Sequence, residues 1–140
     1  MTAEILAPLC AYTLMLMILW WSLGTVRILS AFRGTMPEEY LRIGQGPTPS
    51  TVVVTLHHHF SNHFEVPVLF YAAVLALLAI DAVDTWSVRL AWAFVVLRIV
   101  HTGIVLAGNV PQVRVFPYVL SGVAVWILWW QVFHAAVWPA

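Results

Sequence analysis

The chain has 140 residues, of which 62% are hydrophobic and only 9% are Asp, Glu, Lys or Arg. A soluble domain carries about a quarter of its residues as charges, so this composition excludes one and indicates an integral membrane protein. The zero formal net charge offers no basic surface for nucleic acid. The lone Cys10 excludes an intrachain disulfide and any CxxC-type metal or redox motif.

A helix needs about 20 apolar residues to cross the hydrocarbon core. The N-terminal "MTAEILAPLC" has no basic region and carries Glu4, so it reads as a retained helix rather than a cleaved signal peptide. The uncharged run "ILAPLCAYTLMLMILWWSLGTV" predicts a first span over about residues 5–30. "RGTMPEEYLRIGQGPTPS" is rich in Gly, Pro and charge and predicts a loop with a short helix at "PEEYLR". "FEVPVLFYAAVLALLAI" is short for a span. Extended back through "LHHHFSNH", it predicts one long second helix over about 55–80. "VRLAWAFVVLRIVHTGIVLAG" gives the third span, about 88–108, and "VFPYVLSGVAVWILWWQVFHAAV" the fourth, about 115–137. Residues 1–140 are therefore expected to form one all-α domain, a transmembrane four-helix bundle surrounded by membrane lipid.

Arginine placement orients the bundle. Arg27, Arg33, Arg42 and Arg114 fall on the side of the first and third loops, whereas Arg89 is alone with Glu4, Asp81 and Asp84. The arginine-rich side is normally cytoplasmic, which puts both termini outside. Trp86, Trp129, Trp130 and Trp138 are expected in an outer aromatic belt. His134 near the outer end reads as interfacial. Gly103 and Ala107 make a small-xxx-small pair that would permit close helix approach.

Ionisable groups inside membrane helices are costly and commonly functional. Glu65, Arg98 and His101 qualify. On a continuous helix His58, Asn62 and Glu65 share a face, as do Arg98 and His101. Glu65 is expected to meet Arg98, within the subunit or across an interface, as a structural ion pair or as part of a polar ligand site. His59 and His63 at i, i+4 could chelate a metal, but consecutive imidazoles diverge around a helix. His57 to His59 therefore read as partly solvated, interfacial side chains, and no metal site is expected.

"SNHFEVPVLFY", "LRIVHT" and "PQVRVFPY", with "AF" and "PEEYLRIG" in the first loop, resemble the MAPEG family of membrane-associated proteins in eicosanoid and glutathione metabolism. The resemblance runs from about Arg27 to Tyr118, and it looks closest to bacterial members. It implies a homotrimer in the bacterial inner membrane. Glutathione would bind between subunits near the cytoplasmic side, and a lipophilic small molecule would enter from the bilayer. By motif, Asn62, Glu65, Arg98, His101 and Tyr118 match glutathione-site positions, and Arg114 matches the arginine that activates the thiol. Arg98 or Arg27 would take the tripeptide's carboxylates and Glu65 its amino group. A free thiol ionises near pH 8.5. Bringing that down by one to two pH units takes roughly 1.4–2.7 kcal/mol of thiolate stabilisation, which a permanent guanidinium can supply.

The chain departs from the eicosanoid enzymes at His58 and Ser61, where they carry arginines, at Val105, where they carry tyrosine, and at Val115, where they carry a hydroxyl residue. Two functions follow. One is a glutathione-dependent transferase or peroxidase acting on a lipophilic substrate. The other is a non-catalytic trimer whose cleft holds a lipid or a partner protein.

Overall fold

The computed structural model describes residues 2–138. Helix α1 (Thr2–Phe32) is followed by the short α2 (Glu38–Ile43), then α3 (Thr51–Asn62), α4 (Val66–Ala79), α5 (Thr85–Ala107) and α6 (Pro111–Val137). No strand occurs among the described residues. Four helical stretches are long and apolar enough to cross a membrane: α1, α3 with α4, α5, and α6. The protein is an all-helical integral membrane protein. Consecutive spans alternate in direction, so the described termini lie at one end of the bundle, with the α4–α5 turn, and the α5–α6 turn lies at the other.

The second span is not the continuous helix expected from its hydrophobicity. It breaks at residues 63–65, where Glu65 leaves helical geometry at φ −98°, ψ −112°. Pro67 causes the break. It lacks the N–H that would bond the His63 carbonyl four residues back, and its ring would clash with that carbonyl. It also biases Val66 away from helix. The chain tightens instead, with His63 N–H bonding to the Phe60 carbonyl at 3.1 Å and Phe64 N–H to that of Ser61 at 2.9 Å. The inward stripe survives the interruption: Val53, Leu56, His59 and His63 continue into Pro67, Phe70, Val74 and Leu77. These three- and four-residue steps keep one face against the core.

The core is aromatic where α1, α4 and α5 meet. Phe70 stacks on Phe94 with ring centroids 4.1 Å apart and planes 16° apart. Tyr12 closes this pair edge-on, at 5.1 Å from Phe94 and 5.9 Å from Phe70. Such geometries follow from the quadrupoles of the rings. All three side chains are fully buried.

The end bearing the termini is tied by polar groups. Asp84 caps α5 by accepting from the Ser87 N–H at 2.7 Å, and the Ser87 hydroxyl accepts in return from the Asp84 N–H at 3.3 Å. This reciprocal capping box satisfies two orphan amides. The Ser87 hydroxyl also reaches Oε1 of Gln131 on α6 at 3.1 Å. Trp86, Trp130 and Trp138 are exposed. Trp129 instead turns inward and donates its indole N–H to the Leu69 carbonyl at 3.1 Å, linking α6 to α4. His134 is exposed beside Trp138. Gly103 and Ala107 face outward, and a Cβ on Gly103 would meet nothing within 4 Å, so this pair draws no helix together inside the subunit.

Truncating the Phe70–Phe94 stack tests this core. Phe70→Ala is expected to destabilise the protein by about 3–5 kcal/mol in detergent-mixture unfolding followed by circular dichroism. Leu75→Ala, on the exposed side of the same helix, is expected to stay within about 0.5 kcal/mol.

Candidate functional site

Helix α5 carries the polar centre on its buried stripe: Ala91, Phe94, Val95, Arg98, His101, Thr102 and Val105. Arg98 is wholly buried at 0% exposure. Its Nε and both terminal nitrogens have no hydrogen-bond partner among the described residues. The guanidinium carbon lies 5.0 Å from the Tyr118 ring centroid and 5.6 Å from that of Phe94. Two aromatic faces therefore replace an acceptor. Such contacts can reach about 2 kcal/mol when desolvated, which offsets only part of the cost of a charge in the membrane interior.

The expected Glu65–Arg98 contact is not formed within the chain. Glu65 stands at the helix break and is exposed, whereas Arg98 points into the bundle. Helical phase is the physical reason: Glu65 is two residues from both His63 and Pro67, about 200° round the helix from the inward stripe. His58 is exposed and Asn62 half-buried, so the polar face predicted for the second span lies on the outside of the subunit.

The histidines divide in a way their clustering does not reveal. His57 and His58 lie at the surface, but His59 and His63 are buried, at 2% and 1% exposure, rather than interfacial. A hydrogen-bonded chain runs through them. The Tyr12 hydroxyl pairs with His63 Nδ1 at 2.6 Å. His63 Nε2 lies 3.4 Å from His59 Nε2, which lies 3.1 Å from the Thr102 hydroxyl. The Thr102 hydroxyl in turn donates to Met15 Sδ at 3.8 Å. This chain joins α1, α3 and α5. Among the described residues no group of three or more His, Cys, Asp or Glu is arranged to hold a metal ion.

His101 faces the other way, toward α6. Its Nδ1 lies 2.9 Å from the Arg114 carbonyl oxygen. A carbonyl only accepts, so Nδ1 carries the proton, and in the neutral ring Nε2 keeps the lone pair. That Nε2 is buried without a partner. The Arg114 side chain donates from one terminal nitrogen to Asn109 Oδ1. Asn109 itself occupies left-handed backbone at φ 53°, just past the end of α5. The short α5–α6 turn thereby fixes the guanidinium.

A cavity of about 340 Å³, open on one flank, is lined by Asn62, His101, Pro111, Arg114, Val115 and Tyr118. This falls within the size range of small-molecule pockets. Four expected site residues (Asn62, His101, Arg114 and Tyr118) thus share one cavity. Arg98 lies behind the Tyr118 ring and is sealed from it. Arg27, half-buried on α1 and near His57, and Glu65 do not line it.

The MAPEG family model matches residues 5–134. The chain belongs to the MAPEG family. No curated protein and no solved structure matches it. This MAPEG member carries features that its motifs alone did not single out: Tyr12, buried His59 and His63, Thr102 and Asn109. The i, i+4 spacing of His59 and His63, in phase with Val53 and Leu56, was the signal for their burial. The Gly108-Asn109 pair was the signal for a left-handed helix end.

An unpaired buried charge costs stability that an apolar side chain would restore. Arg98→Met is therefore expected to raise the stability of the ligand-free protein by about 1–4 kcal/mol in the same unfolding assay. An unchanged or lower stability would show that the guanidinium is already compensated.

Proposed function

We propose that this MAPEG protein is a glutathione-dependent transferase or peroxidase acting on a lipophilic substrate. In this reading Arg114 holds the glutathione thiolate. The observation that carries it is Arg98, a fully buried guanidinium with no acceptor among the described residues, directly behind a cavity lined by a second guanidinium and by the His101 ring. A cavity built this way suits an anion. A tripeptide with two carboxylates and an ionisable thiol supplies the charge that the residues lack.

Each group then has a role. Arg114, fixed by Asn109, stabilises the thiolate by Coulomb attraction without exchanging a proton. His101 lends its ring to the cavity wall, held there by the Arg114 carbonyl. Asn62 offers an amide at the rim. Tyr118 must turn aside for a carboxylate to reach Arg98, since its ring covers the guanidinium. Glu65 and Arg27 do not line the cavity of one chain. In a homotrimer with glutathione between neighbouring copies, the exposed Glu65 would meet the tripeptide's amino group from the adjacent subunit. The arginine distribution supports a bacterial inner-membrane orientation with the first and third loops cytoplasmic and both termini periplasmic.

His58, Ser61 and Val105 favour a second reading, a non-catalytic trimer that keeps a lipid headgroup or a partner protein in the same cleft. His58 and Ser61 are exposed and supply no permanent positive charge.

Titrating purified protein with glutathione is expected to raise the ultraviolet thiolate absorbance, and Arg114→Ala to abolish the rise. A lowering of the thiol by one pH unit corresponds to about a tenfold larger thiolate fraction below its ordinary range. No absorbance change and no measurable glutathione affinity, with phospholipid retained in the cleft, would favour the non-catalytic reading instead.

A further inference from the structure

A second cavity, of about 410 Å³, opens at the end of the bundle that bears the described termini, between the first turns of α1 and α5. Glu4 and Ala7 line it from α1, and Val88, Arg89 and Trp92 from α5. These helices are the first and third spans, so they run in the same direction and their residues are ordered alike by depth. At a rise of about 1.5 Å per residue, Glu4 and Arg89 stand within about 6 Å of the helix starts, and Ala7 and Trp92 lie about 8–10 Å in. The headgroup layer on each side of a bilayer is about 5–8 Å thick, and the exposed Trp86 beside Arg89 suits that layer. Charge therefore lines the cavity at headgroup depth, and apolar and aromatic surface lines it where acyl chains begin.

The charges are one of each sign. Arg89 is the only Lys or Arg at this end. Its guanidinium carbon lies 5.2 Å from the Trp86 ring centroid, a contact that leaves the N–H donors for an acceptor. Glu4 supplies the opposite charge from the facing helix. A carboxylate has about four acceptor positions on its two oxygens, so Glu4 can take an ammonium beside a partner it already has. Asp84 is committed to Ser87 at 2.7 Å, and neither it nor Asp81 lines the cavity.

We propose that this cavity binds a zwitterionic phospholipid with a primary ammonium headgroup, its phosphate on Arg89, its ammonium on Glu4 and an acyl chain along Ala7, Val88 and Trp92. An arginine–phosphate pair is charge-assisted and can be bidentate. An anionic phospholipid would satisfy Arg89 but set net negative charge against Glu4. A quaternary ammonium offers the carboxylate no N–H. The cavity thus selects on both counts, and the bound headgroup ties α1 to α5. The site is separate from the Arg114 cavity and does not depend on the reaction proposed there.

Lipid titration followed by native mass spectrometry tests this. Protein in a mild detergent is titrated with dioleoylphosphatidylethanolamine, dioleoylphosphatidylglycerol or dioleoylphosphatidylcholine, whose acyl chains are identical, so that any preference lies in the headgroup. The ethanolamine lipid is expected to fill a saturable site on each chain about tenfold more tightly than either of the others. Arg89→Gln should weaken it by about tenfold. Glu4→Gln should retain binding but reverse the preference in favour of the glycerol lipid, which a loss of fold cannot do. Arg33→Gln, beyond α1 at the opposite end, should change nothing.

Equal affinity for the three lipids, a preference for the anionic lipid in the unsubstituted protein, or a preference untouched by Arg89→Gln and Glu4→Gln would overturn the proposal. Absence of any saturable binding, as would follow if a neighbouring copy covered the cavity, would overturn it as well.

Discussion

A guanidinium without an acceptor, enclosed by the membrane-spanning helices, is the constraint on which the rest of the site depends. Arg98 is held between the faces of Phe94 and Tyr118, and neither can neutralise it. Its neighbours are arranged around that deficit. Phe94 belongs to the aromatic core and cannot be displaced without opening the Phe70 stack. Tyr118 lines the cavity of Asn62, His101 and Arg114 and stands between it and the guanidinium. The charge is thus shut in by a rigid wall on one side and by a single ring on the other. Such an arrangement gives an incoming anion a large electrostatic gain in a medium of low polarity, at a stability cost to the empty protein.

The histidines meet a related problem by pairing. Tyr12, His63, His59 and Thr102 hydrogen-bond one to the next across three helices, so that of the two imidazoles His59 Nδ1 is left without a partner among the described residues. The break at residues 63–65 interrupts the helical pairing of the backbone, and Glu65, out of phase with the inward stripe, stands outside. Polar groups on the second span therefore separate into two sets. Those on the inward stripe cross-link the subunit, and those on the opposite side are presented to whatever lies beside it.

Much of this was legible in the sequence, for identifiable reasons. The spans follow from apolar runs of sufficient length, and the short α2 from a Pro-Glu-Glu start between glycine-rich segments. Asn62, His101, Arg114 and Tyr118 share a cavity as their family register suggested. The Glu65–Arg98 contact is absent because Glu65 shares its face with His58 and Asn62 and not with the inward stripe of His59, His63 and Pro67. His59 lies deeper than its residue type suggests because phase outweighs type: it continues, with His63, the stripe begun by Val53 and Leu56. Asn109 was missed because its importance arises from backbone handedness and from a partner five residues on, which no hydropathy pattern reports.

The two ends of the bundle are built differently. At the end bearing the termini, Asp84, Ser87 and Gln131 clasp α5 to α6, and the Trp129 indole fastens α6 to α4. At the opposite end the same pair of helices is joined through Gly108 and Asn109, both at positive φ, and α6 carries Pro117 within its early turns. Helices clasped by side chains at one extremity and joined by a short turn, with His101 bonded to the Arg114 carbonyl, at the other are held at both ends. The floor beneath Arg114 and Tyr118 is thereby pinned in width, so a guest has to fit the gap between the two helices as it stands.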